Sequence, residues 1–571
     1  RYMASAGLSY QILDWLNVAG RVRIDNTHSE YEGKLYASSS NTLTDGSSQG
    51  HYTVNNGQYS QTYADVLVNI NKRIQDFTIV ANIGASYSGV TSKELGYAGP
   101  IRETGIPNLF NVYDLDNAKK RATQVGWREA TESIFASAEV GWKSMLYLTV
   151  TGRNDWASQL THSPQASFFY PSVGLSAVIT EMLKLPDWVD YLKVRGSFSS
   201  VGNPYPRFLT YPTYSYDANK QDWKSQTNYP IGKLYPERTD SWEIGLDATL
   251  FKDFKLSGSF YYANTYNQTF DPRLPVSSGY DKLYVQTGYV RNYGFEAMLS
   301  YGHRWGDFSW DSSFTFSANK NEIVELVKDY VHPETGKTYN VDKLELKTDE
   351  GRGFGKAKFI LKEGGTLGDL YTHADLKRDI NGNILIDDSG NVTAIDNAGD
   401  IKLGSVLPKA NLAWNNSFSY KGINAGFLLT ARLGGIVYSA TQAYLDLYGV
   451  SETSAAARDA GGVWINGRSR VNPQSFYEVV ASQSGLPTYY TYSATNLRLQ
   501  EAHIGYTIPR RWLGNVCDIN VSLVGRNLWM IYCKAPFDPE AVATTNNYYQ
   551  GIDYFMMPST RNIGFNIKIN F

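Results

Sequence analysis

Cysteine, proline, net charge and long apolar runs are all scarce in this chain, and each scarcity excludes something. The cysteines are two, Cys517 and Cys533. Reading 516–529 as a strand puts them near its opposite ends, and extended chain between them covers roughly 50 Å, far beyond disulfide reach. They form no disulfide scaffold and identify no compartment. Lys plus Arg number 53 against 55 Asp plus Glu, so no nucleic-acid footprint or polybasic membrane patch is expected. No run of about 18 apolar residues exists, which excludes a helical membrane span but not strands that cross a membrane. The 7 histidines are scattered without metal-ligand spacing or a nucleophile motif, so the expectation is no enzyme, no metal and no cofactor. No fixed repeat period points to a solenoid or propeller. No signal peptide is visible: the chain opens with Arg1-Tyr2-Met3 already in a strand-like pattern, read as a truncated or cleaved N-terminus.

What is abundant is Tyr (43), Trp (13) and Gly (50), a composition suited to strands and to the aromatic girdles of a membrane interface. Period-two alternation runs through the whole length. Trp242, Ile244, Leu246, Ala248 and Leu250 alternate with Glu243, Asp247 and Thr249; Ile563, Phe565, Ile567, Ile569 and Phe571 alternate with Asn562, Asn566, Lys568 and Asn570. Such segments predict about seventeen strands, near 2–11, 17–26, 62–71, 77–88, 132–141, 144–154, 168–181, 190–201, 238–250, 254–264, 288–302, 307–318, 407–420, 423–433, 495–508, 516–529 and 560–571. Short turns such as Gln75-Asp76, Trp142-Lys143, Lys252-Asp253, Arg304-Trp305-Gly306 and Lys421-Gly422 alternate with long connections, near 27–61, 89–131, 155–167, 202–237, 265–287, 319–406, 434–494 and 530–559. A soluble sandwich has no reason to sort its loops by length. An outer-membrane β-barrel does, with short periplasmic turns and long extracellular loops. The expected fold is therefore all-β, a transmembrane antiparallel barrel filling residues 1–571 as one partial domain, with lipid bilayer and lipopolysaccharide as its surroundings. Because single-chain bacterial barrels have even strand numbers, an odd count with a periplasmic C-terminus predicts strands before Arg1, entered from an extracellular loop.

Several segments resemble the SusC/RagA family of TonB-dependent transporters. They include Gly152-Arg153-Asn154-Asp155-Trp156, Phe168-Phe169-Tyr170-Pro171-Ser172-Val173-Gly174, Val194-Arg195-Gly196-Ser197-Phe198, Val201-Gly202-Asn203 and Pro236-Glu237-Arg238-Thr239-Asp240-Ser241-Trp242-Glu243. Further along come Arg291-Asn292-Tyr293-Gly294-Phe295-Glu296, Leu497-Arg498-Leu499-Gln500-Glu501, Gly525-Arg526-Asn527-Leu528-Trp529, Phe537-Asp538-Pro539-Glu540 and Met557-Pro558-Ser559-Thr560-Arg561. The terminal Phe571 has the form of a barrel-insertion signal. The resemblance implies a plugged barrel of about 22 strands, some five of them outside this sequence, and neither plug nor TonB box is found in it. It also implies import of solutes too large for porins, energised by TonB through the missing N-terminal part. A SusD-like surface lipoprotein would close over the mouth, and the ligand would be oligosaccharide or, alternatively, oligopeptide. A passive or structural barrel is the reading of a different class, and an outer-membrane enzyme a third.

Parity places Arg153, Lys193, Arg195, Glu243, Asp247, Glu296, Glu501, His503, Arg526 and Lys568 on one polar, inward face, either lining a lumen that holds a plug and passes hydrated solute or pairing with one another or with the plug. Loop aromatics offer faces for stacking on sugar rings or peptide side chains. The candidate ligand-binding residues are Tyr214, Tyr216 and Trp223, then Tyr489 and Tyr490, then Tyr548 and Tyr549, with Tyr211, Tyr492, Tyr554 and Phe555 beside them. The plainer reading of these rings is girdle and loop packing. The segments Asp379–Asn383 and Asp387–Asn391 faintly resemble an oxygen-rich calcium loop, though Asn-Gly and Ser-Gly are also ordinary turn signals.

Overall fold

A computed structural model describes the chain except residues 210–214, 218–221, 225–227, 230–233, 271–281, 332–335, 337, 347–354, 545–549 and 571. Phe571 thus lies outside the described residues. Among the described residues, seventeen strands belong to one antiparallel sheet, the number the alternation predicts. No helix among the described residues is long and apolar enough to cross a membrane.

The chain divides into two compact units: Arg1–Ser176 with Ser197–Asp240 and Arg273–Gln286, and the remainder. In the first, β1 (Tyr2–Leu13), β2 (Leu16–Leu35), β3 (His51–Ile74), β4 (Phe77–Pro100), β5 (Arg121–Trp142) and β6 (Leu146–Ala157) pair in chain order. Strands β7 (Ser167–Val178), β8 (Val189–Asn203) and β9 (Glu237–Leu250) follow. The second unit contains β10 (Phe254–Phe270), most of β11 (Val285–Trp305), then β12 (Phe308–Glu325), β13 (Ala410–Tyr420), β14 (Ile423–Leu433), β15 (Asn496–Ile508), β16 (Asp518–Cys533) and β17 (Asn562–Asn570). From β11 onward each again pairs with the next.

Turn chemistry explains the tight ends. Lys143-Ser144, Phe251-Lys252 and Lys421-Gly422 each place two consecutive residues at positive φ, the turn conformation whose twist matches its strands; the last is a two-residue hairpin, the first two close with three residues. Next to these turns stand exposed rings: Trp142 and Phe77 in the first unit, and Trp188, Phe251, Trp305, Tyr420 and Trp512 in the second. Trp188 stacks on Phe251 at 5.6 Å and Trp305 on Phe308 at 5.9 Å. Beyond them the apolar face of the strands lies open; on strands paired on both sides, Ile244 of β9 is 65% and Ile504 of β15 58% exposed. So much uncovered apolar surface in register is a lipid-facing band.

The alternation predicts the membrane-crossing parts of the strands well and their outer parts poorly. β14 coincides with the predicted 423–433, but β3 and β4 reach 24 residues each. The expected long connection at 27–61 is in fact strand except for 36–50, and that at 89–131 except for 101–120. Above the band both faces are wet, so apolar alternation stops while the hydrogen-bond ladder continues. Cys517 and Cys533 lie just before and at the end of β16, and both are free thiols, as their spacing requires.

The longest connections of the second unit carry cores of their own. Leu344, Phe359, Leu361, Leu370, Tyr438 and Tyr490 pack with Ile323 of β12, and Leu376, Ile465, Phe476, Val480 and Leu486 form a second cluster. Helices Ala440–Leu447 and Pro473–Val480 start at Ser439 and Asn472, whose side chains accept the first free amides. These loops are folded objects.

Candidate functional site

The polar face of the sheet is built largely from charges that satisfy one another. In the first unit Arg21 meets Asp65 at 2.9 Å, and Arg153 donates to Asp155 at 2.7 Å while Tyr170 bonds the same carboxylate. In the second, Arg195 bridges Asp247 at 2.7 Å and Glu243 at 3.5 Å, and Arg526 holds Glu501 at 2.9 Å. The plainer reading of these predicted polar residues is thus the observed one for Arg153, Arg195, Glu243, Asp247, Glu501 and Arg526.

Motifs far apart in sequence are paired by the same logic. Arg498 of β15 is buried, donates to Asp538 at 2.8 Å and forms an ion pair with Glu540 at 3.2 Å, so the Leu497–Glu501 and Phe537–Glu540 segments are two halves of one joint. Asp538 lies in the connection after β16, where burial would raise its pKa, but the hydrogen bond from Arg498 and the Glu540 amide outweigh it and hold the carboxyl below its usual range. In the Arg291–Glu296 segment, Asn292 accepts from Asn319 and Asn321 of β12, and a Cβ on Gly294 would collide with the Ala318 carbonyl and the Tyr261 hydroxyl. That glycine is required by close approach.

Lys193, His503 and Lys568 form no ion pair among the described residues, and neither do the two charges of one row on this face. Glu296 of β11 stands opposite Ser317 of β12, Ser317 opposite Asn411 of β13, Asn411 opposite Arg432 of β14, and Arg432 opposite Asn496 of β15. These residues border a cavity of 720 Å³. Neither Glu296 nor Arg432 takes part in an ion pair among the described residues. Arg432 donates through Nη2 to the Val406 carbonyl at 2.8 Å, while its buried Nε has no partner. The nearby carboxylate of Glu540 is held by Arg498 and by Asn496 at 3.2 Å. Arg432, Asn411 and Asn496 were missed as site residues because cross-strand register decides which positions share a row, and no single strand reveals it.

The predicted loop aromatics separate into different roles. Tyr216 and Trp223 face each other across a two-strand ribbon, rings 5.2 Å apart, and both are more than half exposed. Tyr490 is 2% exposed and donates to Asp446 at 3.0 Å; burial, then that carboxylate, raises its pKa. It is a core residue and has no face to offer a ligand. Tyr489 is half-buried against Phe476, rings 6.0 Å apart. Tyr214, Tyr548 and Tyr549, with Tyr211, lie outside the described residues. Tyr554 and Phe555 join Tyr444, a residue the sequence reading passed over, beside a loop cavity of 580 Å³ that also holds Lys356, Lys358 and His373. Its lysines are already matched, Lys356 to Asp396 at 2.7 Å and Lys358 to Glu345 at 2.6 Å, and His373 is hydrogen-bonded to Asp400 at 2.9 Å. In the calcium-like segments Asp379 caps the amides of Asn381 and Asn383, and Asp387 those of Ser389 and Asn391. Each carboxylate closes its own turn.

The chain is 24% identical over 85% of its length to TonB-dependent receptor P3 of Formosa agariphila, covering 50% of that protein. It is likewise 24% identical over 70% of its length to TonB-dependent receptor SusC of Bacteroides thetaiotaomicron, covering 40% of it. It thus spans about half the length or less of these curated relatives. Its fold superposes on the solved RagAB peptide transporter with a TM-score of 0.74 at 16% identity, over 100% of this chain and 62% of that one. Residues 1–528 match the model of the TonB dependent receptor-like beta-barrel family, and the chain belongs to that family.

Proposed function

We propose that the protein imports oligomeric nutrients across the outer membrane of a Gram-negative bacterium, energised by TonB and assisted by a SusD-like surface lipoprotein. The observation that carries this reading is the combination, in one unit, of a polar sheet face bordering sizeable cavities with long connections that fold around their own cores. A passive barrel has no need of such built loops; a capture device does. The cargo we favour is oligosaccharide, supported by the exposed Tyr216–Trp223 pair, whose flat faces suit sugar rings. Oligopeptide is the second reading, supported by the shared fold of the RagAB peptide transporter.

The test is growth. Cells lacking the protein should lose growth on at least one defined glycan or peptide mixture and regain it on complementation. Normal growth on all of them sinks the import reading. Purification from native membranes should bring along a surface lipoprotein, and its absence would remove the partner. Replacing both Tyr216 and Trp223 by Ala should weaken binding of the growth-supporting sugar about tenfold or more, since stacking contributes roughly 1 kcal/mol per ring; unchanged affinity would remove the aromatic site.

A further inference from the structure

We propose that the lipid-side face of β10–β12, just above the apolar band, binds the phosphate of a lipopolysaccharide headgroup between Arg291 and Lys320. The inference uses the outer-membrane setting and is independent of the cargo.

Four features carry it. The first is facing. The alternation that turns exposed Phe295, Leu299 and Phe314 to lipid continues along the same strands to Tyr293, Arg291 and Lys320. Lys320 stands opposite Tyr293, and Arg291 opposite Glu322. The second is height. Lys320 lies about 12 residues beyond Phe308 at the short turn, roughly 40 Å of strand and about 30 Å of height at a tilt of about 40°. Arg291 lies about 14 residues from Trp305, roughly 35 Å of height. A lipid-facing band is about 25 Å tall, so both cations stand where the outer headgroups begin.

The third feature is that the two cations are held in place. The Arg291 guanidinium sits 5.4 Å from the Tyr262 ring and 5.5 Å from that of Tyr289, and it donates to the Tyr289 hydroxyl at 2.9 Å. The Lys320 ammonium lies 5.4 Å from the Tyr293 ring. Tyr262 stacks on Tyr293 and Tyr266 on Tyr289, so the four rings brace one another. As diagonal neighbours on paired strands, Arg291 and Lys320 are about 7–8 Å apart at the backbone, close enough for both long side chains to reach one phosphate. The fourth is charge. Neither cation takes part in an ion pair among the described residues, and Glu322 stands one step farther from the band than Lys320. Unpaired cations occur elsewhere in the chain, but these two combine that state with a lipid-side position, headgroup height and an aromatic bracket. A cation at the hydrocarbon border is stabilised by an anion lodged there, and basic clusters at that depth suit lipid headgroups. In lipid A the phosphate is carried directly on a glucosamine ring, which can lie against the tyrosine faces; a glycerol phospholipid offers no such ring.

Native mass spectrometry of the full-length protein in detergent tests this, with four additives at equal concentration: diphosphoryl lipid A, the same lipid A stripped of its phosphates, phosphatidylglycerol and inorganic phosphate. Lipid A should occupy the protein at least tenfold more than any of the other three. Lys320→Gln and Arg291→Gln should each lower its occupancy at least fivefold, and Glu322→Gln should raise it about twofold by removing a repulsive carboxylate, a gain that a merely structural role would not give. Heat-resistant migration on gels checks that each variant is folded. If Arg291→Gln fails that check, exposed Lys320 decides: unchanged lipid A occupancy in Lys320→Gln overturns the proposal. So does equal binding of the dephosphorylated lipid, which would leave only acyl contact, or of phosphatidylglycerol, which would make the patch a general anionic-lipid surface.

Discussion

Arg498 shows what a single buried charge does here. It is nearly inaccessible and holds two carboxylates, so Arg498→Met strands Asp538 and Glu540 and should cost about 3–5 kcal/mol, read from denaturant unfolding in detergent. Arg526→Gln breaks a pair of similar length on an arginine that is 68% exposed and should cost under about 1 kcal/mol. Equal losses would contradict the burial argument. The pair also sets a pH dependence. Because Asp538 has a depressed folded pKa, its stabilisation is complete above the ordinary carboxylate value of about 3.9 and disappears as pH falls through the folded value. The stability gap between the unaltered protein and Arg498→Met should therefore shrink below about pH 4; a gap independent of pH removes Asp538 from the account. Gly294→Val is expected to prevent β11 from seating against β12 and to abolish heat-resistant folding on gels, whereas Gly564→Ala, where nothing lies within 4 Å, should be silent.

At the scale of the strand, legibility followed the solvent. Where one face meets lipid and the other water, alternation marks both ends of a strand within a few residues, as for β14 and β15. Where both faces meet water, as in the outer parts of β2 to β5, Ser, Asn, Gln and Gly alternate with nothing and the strands stay hidden. The motif segments marked the joints, yet the partners of Arg498 or Asn292 became visible only through pairing. The lipid-facing rows make their own prediction. Ile567→Lys puts a charge in the apolar band of β17 and should cost about 2–4 kcal/mol if that position lies near the bilayer midplane, while Asn566→Lys on the opposite face should be nearly neutral. Folding efficiency into vesicles measures both, and the reverse order would mean the faces are assigned the wrong way round.

For the molecule as a whole, family membership and fold rest on different supports from cargo. Membership follows from the match over residues 1–528, and the fold from the meander of strands and turns. Cargo depends on side chains that neither one constrains, which is why seven predicted aromatic contacts sorted into one exposed pair, one half-buried ring, one core residue and three positions outside the described chain. The row from Glu296 to Asn496 could not be read from the sequence for a geometric reason. Its members come from five strands separated by connections of very different length, and only the register aligns them.

The long outer parts of β2, β3 and β4 bear on how such a protein can vary over generations. Bilayer thickness fixes how many residues must alternate near the short turns, but nothing comparable fixes how far the paired ladder continues beyond. Insertions and deletions there are graded by parity. Losing two residues from each of two paired strands shortens the extension and leaves every side chain below on its proper face, whereas losing one residue turns a strand inside out. Among related sequences, length differences between positions 27 and 61 should therefore fall mostly in steps of two per strand or in the loop at 36–50. This surface can drift in height while the membrane-facing rows stay locked.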